Sequence, residues 1–363
     1  MPERNRHTSW LGIAAILGAL LGWSSIPLYL KHFSHLIDPW TSNGWRYGAS
    51  ALFWLPVLVL GLARRDLPRG LWKAAVVPSI ANCIAQVCFV LAPYYIDPGL
   101  MTFGLRSNIV FVTLGAALLF PPERRIISTR GFIAGVSMVV LGTAGTILLG
   151  QGLPRGATLA GVLLALAAGA TYAAYALAVR RWMHGVNAVQ SFAVISLYTA
   201  IGMVALMVAL GERHGLAALS LVGVPVPLVS GGSLPLVDEF TWLMISALIG
   251  IALGHVAYYY AINSLGLAAS SGVVQLQPFF VSLASLALFD ERLTSPQWAS
   301  GSVAVVGAAI ILLVQHRLSH TPPAAPDPLE FAQLPPDPIA AIASSECEPP
   351  DATPTAQSSS TSP

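Results

Sequence analysis

Residues 99–120 read GLMTFGLRSNIVFVTLGAALLF, an uninterrupted apolar stretch whose only charge is Arg106. A helix rises about 1.5 Å per residue and the hydrocarbon core of a bilayer is about 30 Å thick, so about 20 such residues cross it. Working outward, nine more stretches of similar length fill the chain: 9–30, 44–63, 71–92, 131–150, 157–179, 187–210, 241–262, 267–289 and 297–315. Charged residues make up 9% of the chain and hydrophobic residues 55%. That balance leaves too little polar surface for a fold solvated by water. The reading is an all-α integral membrane protein of ten transmembrane helices.

Basic residues set the expected orientation. Arg4, Arg6, Arg64, Arg65, Arg69, Lys73, Arg124, Arg125, Arg130, Arg180, Arg181 and Arg317 fall on one side of this ten-span scheme, against Lys31, Arg155, Arg213 and Arg292 on the other. The positive-inside rule then places both termini in the cytoplasm, as expected of a multi-pass protein of the cell inner membrane. Basic residues flank span ends and form no stripe, so nucleic acid is not an expected partner. The first span follows Arg4 and Arg6 as a signal peptide would. It is too long for a cleaved segment and reads as a retained signal anchor after a short cytoplasmic stretch, 1–8. Cys83, Cys88 and Cys347 form no disulfide framework and no paired ligand motif. No cofactor is expected.

A 167- to 169-residue offset aligns the chain with itself. Gln86-Val87-Cys88 corresponds to His255-Val256-Ala257, Gly99-Leu100 to Gly266-Leu267, Asn108 to Gln275, and Glu123-Arg124 to Glu291-Arg292. Residues 9–150 and 151–315 therefore read as two repeats of five spans, the second with an external loop at 212–239. Five is odd, so the second repeat enters the membrane in the opposite sense, and inverted repeats place a site near the midplane between the halves. Residues 316–363 carry six acidic residues and no basic one, are rich in Pro and Ser, and read as a disordered cytoplasmic tail.

The ten-span, two-repeat layout resembles a known family. Its ninth span ends in Phe289-Asp290-Glu291-Arg292-Leu293, with Gly301 and Gly307 on the tenth span and Gly131, Gly135 and Gly142 on the fifth. These features resemble an EamA-type transporter of the drug/metabolite transporter superfamily. The first copy departs from the pattern with Pro121-Pro122-Glu123 and with Arg106 inside its fourth span. The resemblance implies alternating access and a small-molecule substrate; related transporters export amino acids, other metabolites and drugs.

No Asp or Glu lies inside the ten expected spans, which argues against a carboxylate relay and leaves His255 as the intramembrane group that titrates near neutral pH. His255 has two readings: a neutral imidazole satisfied by a neighbouring carbonyl or hydroxyl, or a pocket and coupling residue. Arg106 also has two. It snorkels outward or meets Asp97, or it faces a cavity beside Ser107 and Asn108 and holds an anionic substrate group; the absence of an intramembrane carboxylate favours the second. Asn82 and Gln86 share a helix face, as do His255 and Tyr259. With Gln275, Trp23 and Tyr175 they complete the expected cavity wall; Gln275 and Gln277 lie on nearly opposite faces and do not line it equally. Proline at 27, 56, 78 and 278 frees backbone carbonyls where bends are needed.

Catalysis is not expected: the chain has no His-Glu-x-x-His, no Gly-x-Ser-x-Gly and no paired intramembrane aspartates. With no phosphate-binding loop, ATP does not drive the cycle directly. The expected function is secondary transport, as an exporter of small polar or amphipathic metabolites, driven by a proton or a counter-substrate. An intramembrane enzyme or a non-transporting scaffold is the alternative, and pairing as a homodimer is left open.

Overall fold

The computed structural model describes residues 3–120, 124–150, 156–183, 185–212, 215–219, 238–265 and 267–320. The expected disordered tail, Glu123 and most of the 212–239 loop lie outside them. Met1–Leu318 form one compact unit. Among the described residues every regular element is helical, and ten helices are long and apolar enough to cross a membrane. They are Trp10–Phe33, Pro39–Arg64, Leu71–Tyr94, Pro98–Leu119, Arg130–Leu148, Thr158–Trp182, Val189–Leu210, Glu239–Tyr258, Gly272–Phe289 and Ser295–Arg317, called here the first to tenth spans. The outward face is apolar: Val208 is 79% exposed and Leu118 76%, a surface that suits lipid and not water.

Short polar residues start the helices where the sequence supplies them. Asp38 accepts from the amides of Trp40 and Thr41 with Pro39 behind it, Thr129 caps the fifth span, Asn187 the seventh and Asp238 the eighth. Each satisfies amides that the first turn leaves without partners. Hydrogen bonds from the Thr241 hydroxyl and amide hold the Asp238 carboxyl below its ordinary range. The second span ends on Arg65 and the ninth on Asp290, both in the left-handed conformation.

Lipid tails are as apolar as leucine, so close backbone packing and interhelical hydrogen bonds hold the helices together. The fifth and tenth spans show the packing at its tightest. A Cβ on Gly142 would fall 2.5 Å from the Ala304 nitrogen and the Ser300 carbonyl, and one on Gly307 would fall 2.6 Å from the Gly135 carbonyl. Glycine is required at this contact, whereas Gly18 in the first span faces open space.

Three spans are irregular. The fourth is two helices, Pro98–Leu105 and Asn108–Leu119, broken at Arg106 and Ser107. The ninth is likewise Leu267–Val274 and Gln277–Phe289, broken at Gln275 and Leu276. Their breaks match at the repeat offset that pairs Asn108 with Gln275. In the eighth, Ala247–Leu253 is a π-helix, so the Gly254 amide donates to Ile249 and not to Gly250. Non-helical backbone at membrane depth requires partners from elsewhere in the protein.

Candidate functional site

Proline explains the first polar cluster. A proline at position i has no N–H for the carbonyl at i−4, so Pro27 frees the Trp23 carbonyl and Pro278 frees the Val274 carbonyl. The Trp23 oxygen accepts from Gln277 Nε2 at 2.8 Å, and the Val274 oxygen accepts from Arg106 Nη1 at 3.3 Å. Arg106 Nη2 donates to Gln277 Oε1 at 2.8 Å, joining the two repairs. Pro27 lies inside a continuous helix, while Pro278 opens the second half of the ninth span. Trp23 extends the cluster to the eighth span. Its indole Nε1 donates to the Gly250 carbonyl at 3.1 Å, on the π-helical turn, and its ring meets His255 and Tyr258 at centroid distances of 5.3 and 5.0 Å.

His255 stacks on Phe192 at 4.6 Å, and its Nδ1 lies 3.0 Å from the Ile251 carbonyl. A carbonyl only accepts, so this contact requires the Nδ1–H tautomer and leaves Nε2 as an acceptor. Asn108 donates to the Gly169 carbonyl at 3.0 Å, holding the fourth-span break against the sixth span. Asp97 pairs with Lys31 at 2.9 Å, so the outward reading of Arg106, in which it meets Asp97, is not the arrangement found.

A second cluster gathers the second, third, sixth, seventh and eighth spans. Asn82 donates to the Thr199 hydroxyl at 3.0 Å, and Asn43 donates to the Gln86 carbonyl and to Met203 Sδ. Arg46, 1% exposed, donates through Nε to the Ser246 hydroxyl at 2.9 Å, at the foot of the π-helical turn. Tyr47 and Tyr172 are the ionisable groups that act on it. Arg46 Nη2 and Asn43 Oδ1 are both buried without a partner.

The expected cavity residues therefore divide. Arg106, Trp23 and His255 fall in the first cluster, and Asn82 and Gln86 in the second. Tyr175 is buried in the hydrophobic core that includes Tyr47, Phe192 and Ile251. Gln275 is buried at the ninth-span break with Oε1 unpartnered, while Gln277 on the other face carries the contacts. The side chain of Tyr259 lies outside the described residues. Arg46 and Asn43 were not among the expected site residues. The signal for Arg46 was as visible as that for Arg106, since each is a lone arginine inside an apolar span.

One face of the bundle is tied shut. Beside the Lys31–Asp97 pair, Glu291 accepts from the amides of Gly99 and Leu100 at 2.8 and 3.0 Å, capping the fourth span from beyond the ninth. Burial pushes the Glu291 carboxyl above its ordinary range, against the pull of hydrogen bonds that include these amides. Asp38 Oδ2 accepts from the Glu212 amide, and the Tyr94 hydroxyl donates to the Ile37 carbonyl.

Comparison with known proteins agrees with this architecture. The sequence profile of the EamA-like transporter family matches residues 10–151 and 159–313. No match was found among curated proteins. A solved structure described only as "Crystal structure of protein" aligns with a TM-score of 0.51 at 19% identity, covering 86% of this chain and 99% of that one; it supports the fold alone. Matched over both repeats, the chain belongs to the EamA-like transporter family, within the drug/metabolite transporter superfamily.

Proposed function

We propose that the protein is a secondary transporter that exports small polar or amphipathic metabolites across the cell inner membrane by alternating access. The two repeats are oppositely oriented and both termini lie in the cytoplasm. The observation that carries this reading is the first cluster. Arg106, Gln277 and Trp23 join the fourth, ninth, first and eighth spans at membrane depth, two of them broken at matching positions and one carrying a π-turn. Broken helices whose freed carbonyls are repaired by exchangeable side-chain hydrogen bonds form an element with more than one arrangement, which rocking requires.

The closed face is the one carrying Lys31, Asp97 and Glu291. Export then requires these ties to open and the opposite face to close around the same interior. A gradient of protons or of a counter-substrate drives the cycle only if its ligand binds the two states unequally. Purified protein in sealed vesicles tests this reading: preloaded unlabelled solute accelerates uptake of the labelled solute, and the rate saturates. Flux that rises linearly without exchange, or no mediated flux across a metabolite panel, overturns it.

A further inference from the structure

Two unpartnered atoms of opposite character stand one helical turn apart on the second span. Arg46 has one nitrogen engaged by a neutral hydroxyl and Nη2 facing no acceptor; Asn43 has its amide nitrogen engaged and Oδ1 facing no donor. Residues at i and i+3 share a helix face. Their walls are Tyr47, Gln86, Tyr172 and Ser246, and no carboxylate among the described residues acts on the guanidinium. A guanidinium buried in a protein core without an anion is costly, and a side chain that only packed would have been cheaper as methionine or leucine.

We infer that Arg46 and Asn43 form the substrate's polar anchor, Arg46 taking a carboxylate and Asn43 Oδ1 accepting from a hydroxyl or ammonium on the adjacent carbon. The ligand class is a small 2-hydroxy or 2-amino acid, with the aromatic walls favouring an apolar side chain. This assignment rests on the transporter reading for its purpose and deepens it, naming the substrate class. Arg106, which the sequence favours as the anion receptor, is already occupied by two acceptors and serves the helix breaks instead.

The test uses the full-length protein in detergent and three matched probes: 3-phenyllactate, 3-phenylpropionate, which lacks the hydroxyl, and 3-phenyllactamide, which lacks the charge. The melting temperature of the wild type rises most with phenyllactate, less with phenylpropionate and not with the amide. Arg46→Gln loses the response and, without ligand, melts above the wild type because an uncompensated buried cation is gone. Arg46→Lys keeps a reduced response, and Asn43→Leu responds to both acids alike.

The anchor is overturned if no acid stabilises the wild type, if the amide does so equally, if the response survives in Arg46→Gln, or if that variant melts lower than the wild type. Exchange of labelled phenyllactate in vesicles separates the two readings. Binding that depends on Arg46 without exchange refutes transport of this ligand and keeps the site. Saturable exchange of a neutral or cationic solute that Arg46→Gln leaves unchanged keeps transport and refutes the site.

Discussion

Arg46 and Arg106 enter the bundle from the same face, about 10 and 12 Å along their helices by the rise per residue, yet their surroundings differ in kind. Arg106 gives both terminal nitrogens to acceptors that proline and a helix break leave in need of donors. Arg46 is the more deeply buried, rests on a single serine hydroxyl and keeps Nη2 empty. Charge at depth is thus not one signal but two. Where the backbone needs repair, arginine is a structural donor; where nothing asks for it, the donor waits for a ligand.

The largest expected break in this comparison is a difference of sign. Arg106→Gln leaves the Val274 carbonyl and Gln277 short of donors and lowers stability by about 2–4 kcal/mol, within the range for stranding buried polar groups, whereas Arg46→Gln raises it. Melting temperatures of the two variants side by side decide the matter; the same sign for both removes the distinction.

Next comes Gln277, which bridges Arg106 to the Trp23 carbonyl. Gln277→Ala costs about 1–3 kcal/mol by stranding both ends. Restored stability in the double variant Arg106→Met/Gln277→Ala would show that the pair, rather than either side chain, is the unit.

Glu291 extends the comparison to an acid that closes one face. Its folded-state affinity for a proton is raised by burial, so its contribution to stability is present below its unfolded value near 4.5 and is lost as pH rises through the raised folded value. Wild-type stability relative to Glu291→Gln therefore falls across that interval, and a flat difference between the two melting curves contradicts it. At neutral pH the same variant loses charge-assisted caps on Gly99 and Leu100 and shifts the carrier toward opening on that face, which accessibility of a cysteine placed at Ser34 would report.

The smallest effect belongs to Asn108→Ala, which removes one neutral hydrogen bond to the Gly169 carbonyl, about 1 kcal/mol. It lowers the melting temperature slightly without changing the ligand response. A larger loss of response would move Asn108 into the binding cluster.

The sequence by itself determined the ten helices and the two repeats, because crossing hydrocarbon demands long apolar runs and leaves polar anchors such as Asn108 and Gln275 conspicuous at a constant spacing. It also marked Pro27 and Pro278 as sources of free carbonyls and Arg106 and His255 as groups out of place in lipid. What it could not contain was the partner of each. That Pro27 is answered by Gln277, 250 residues away along the chain, and that Arg46 is answered by almost nothing, depends on which helix faces meet. Helices whose every face is apolar carry no periodic stripe to announce their neighbours, so tertiary packing alone decided which arginine was occupied and which was left free.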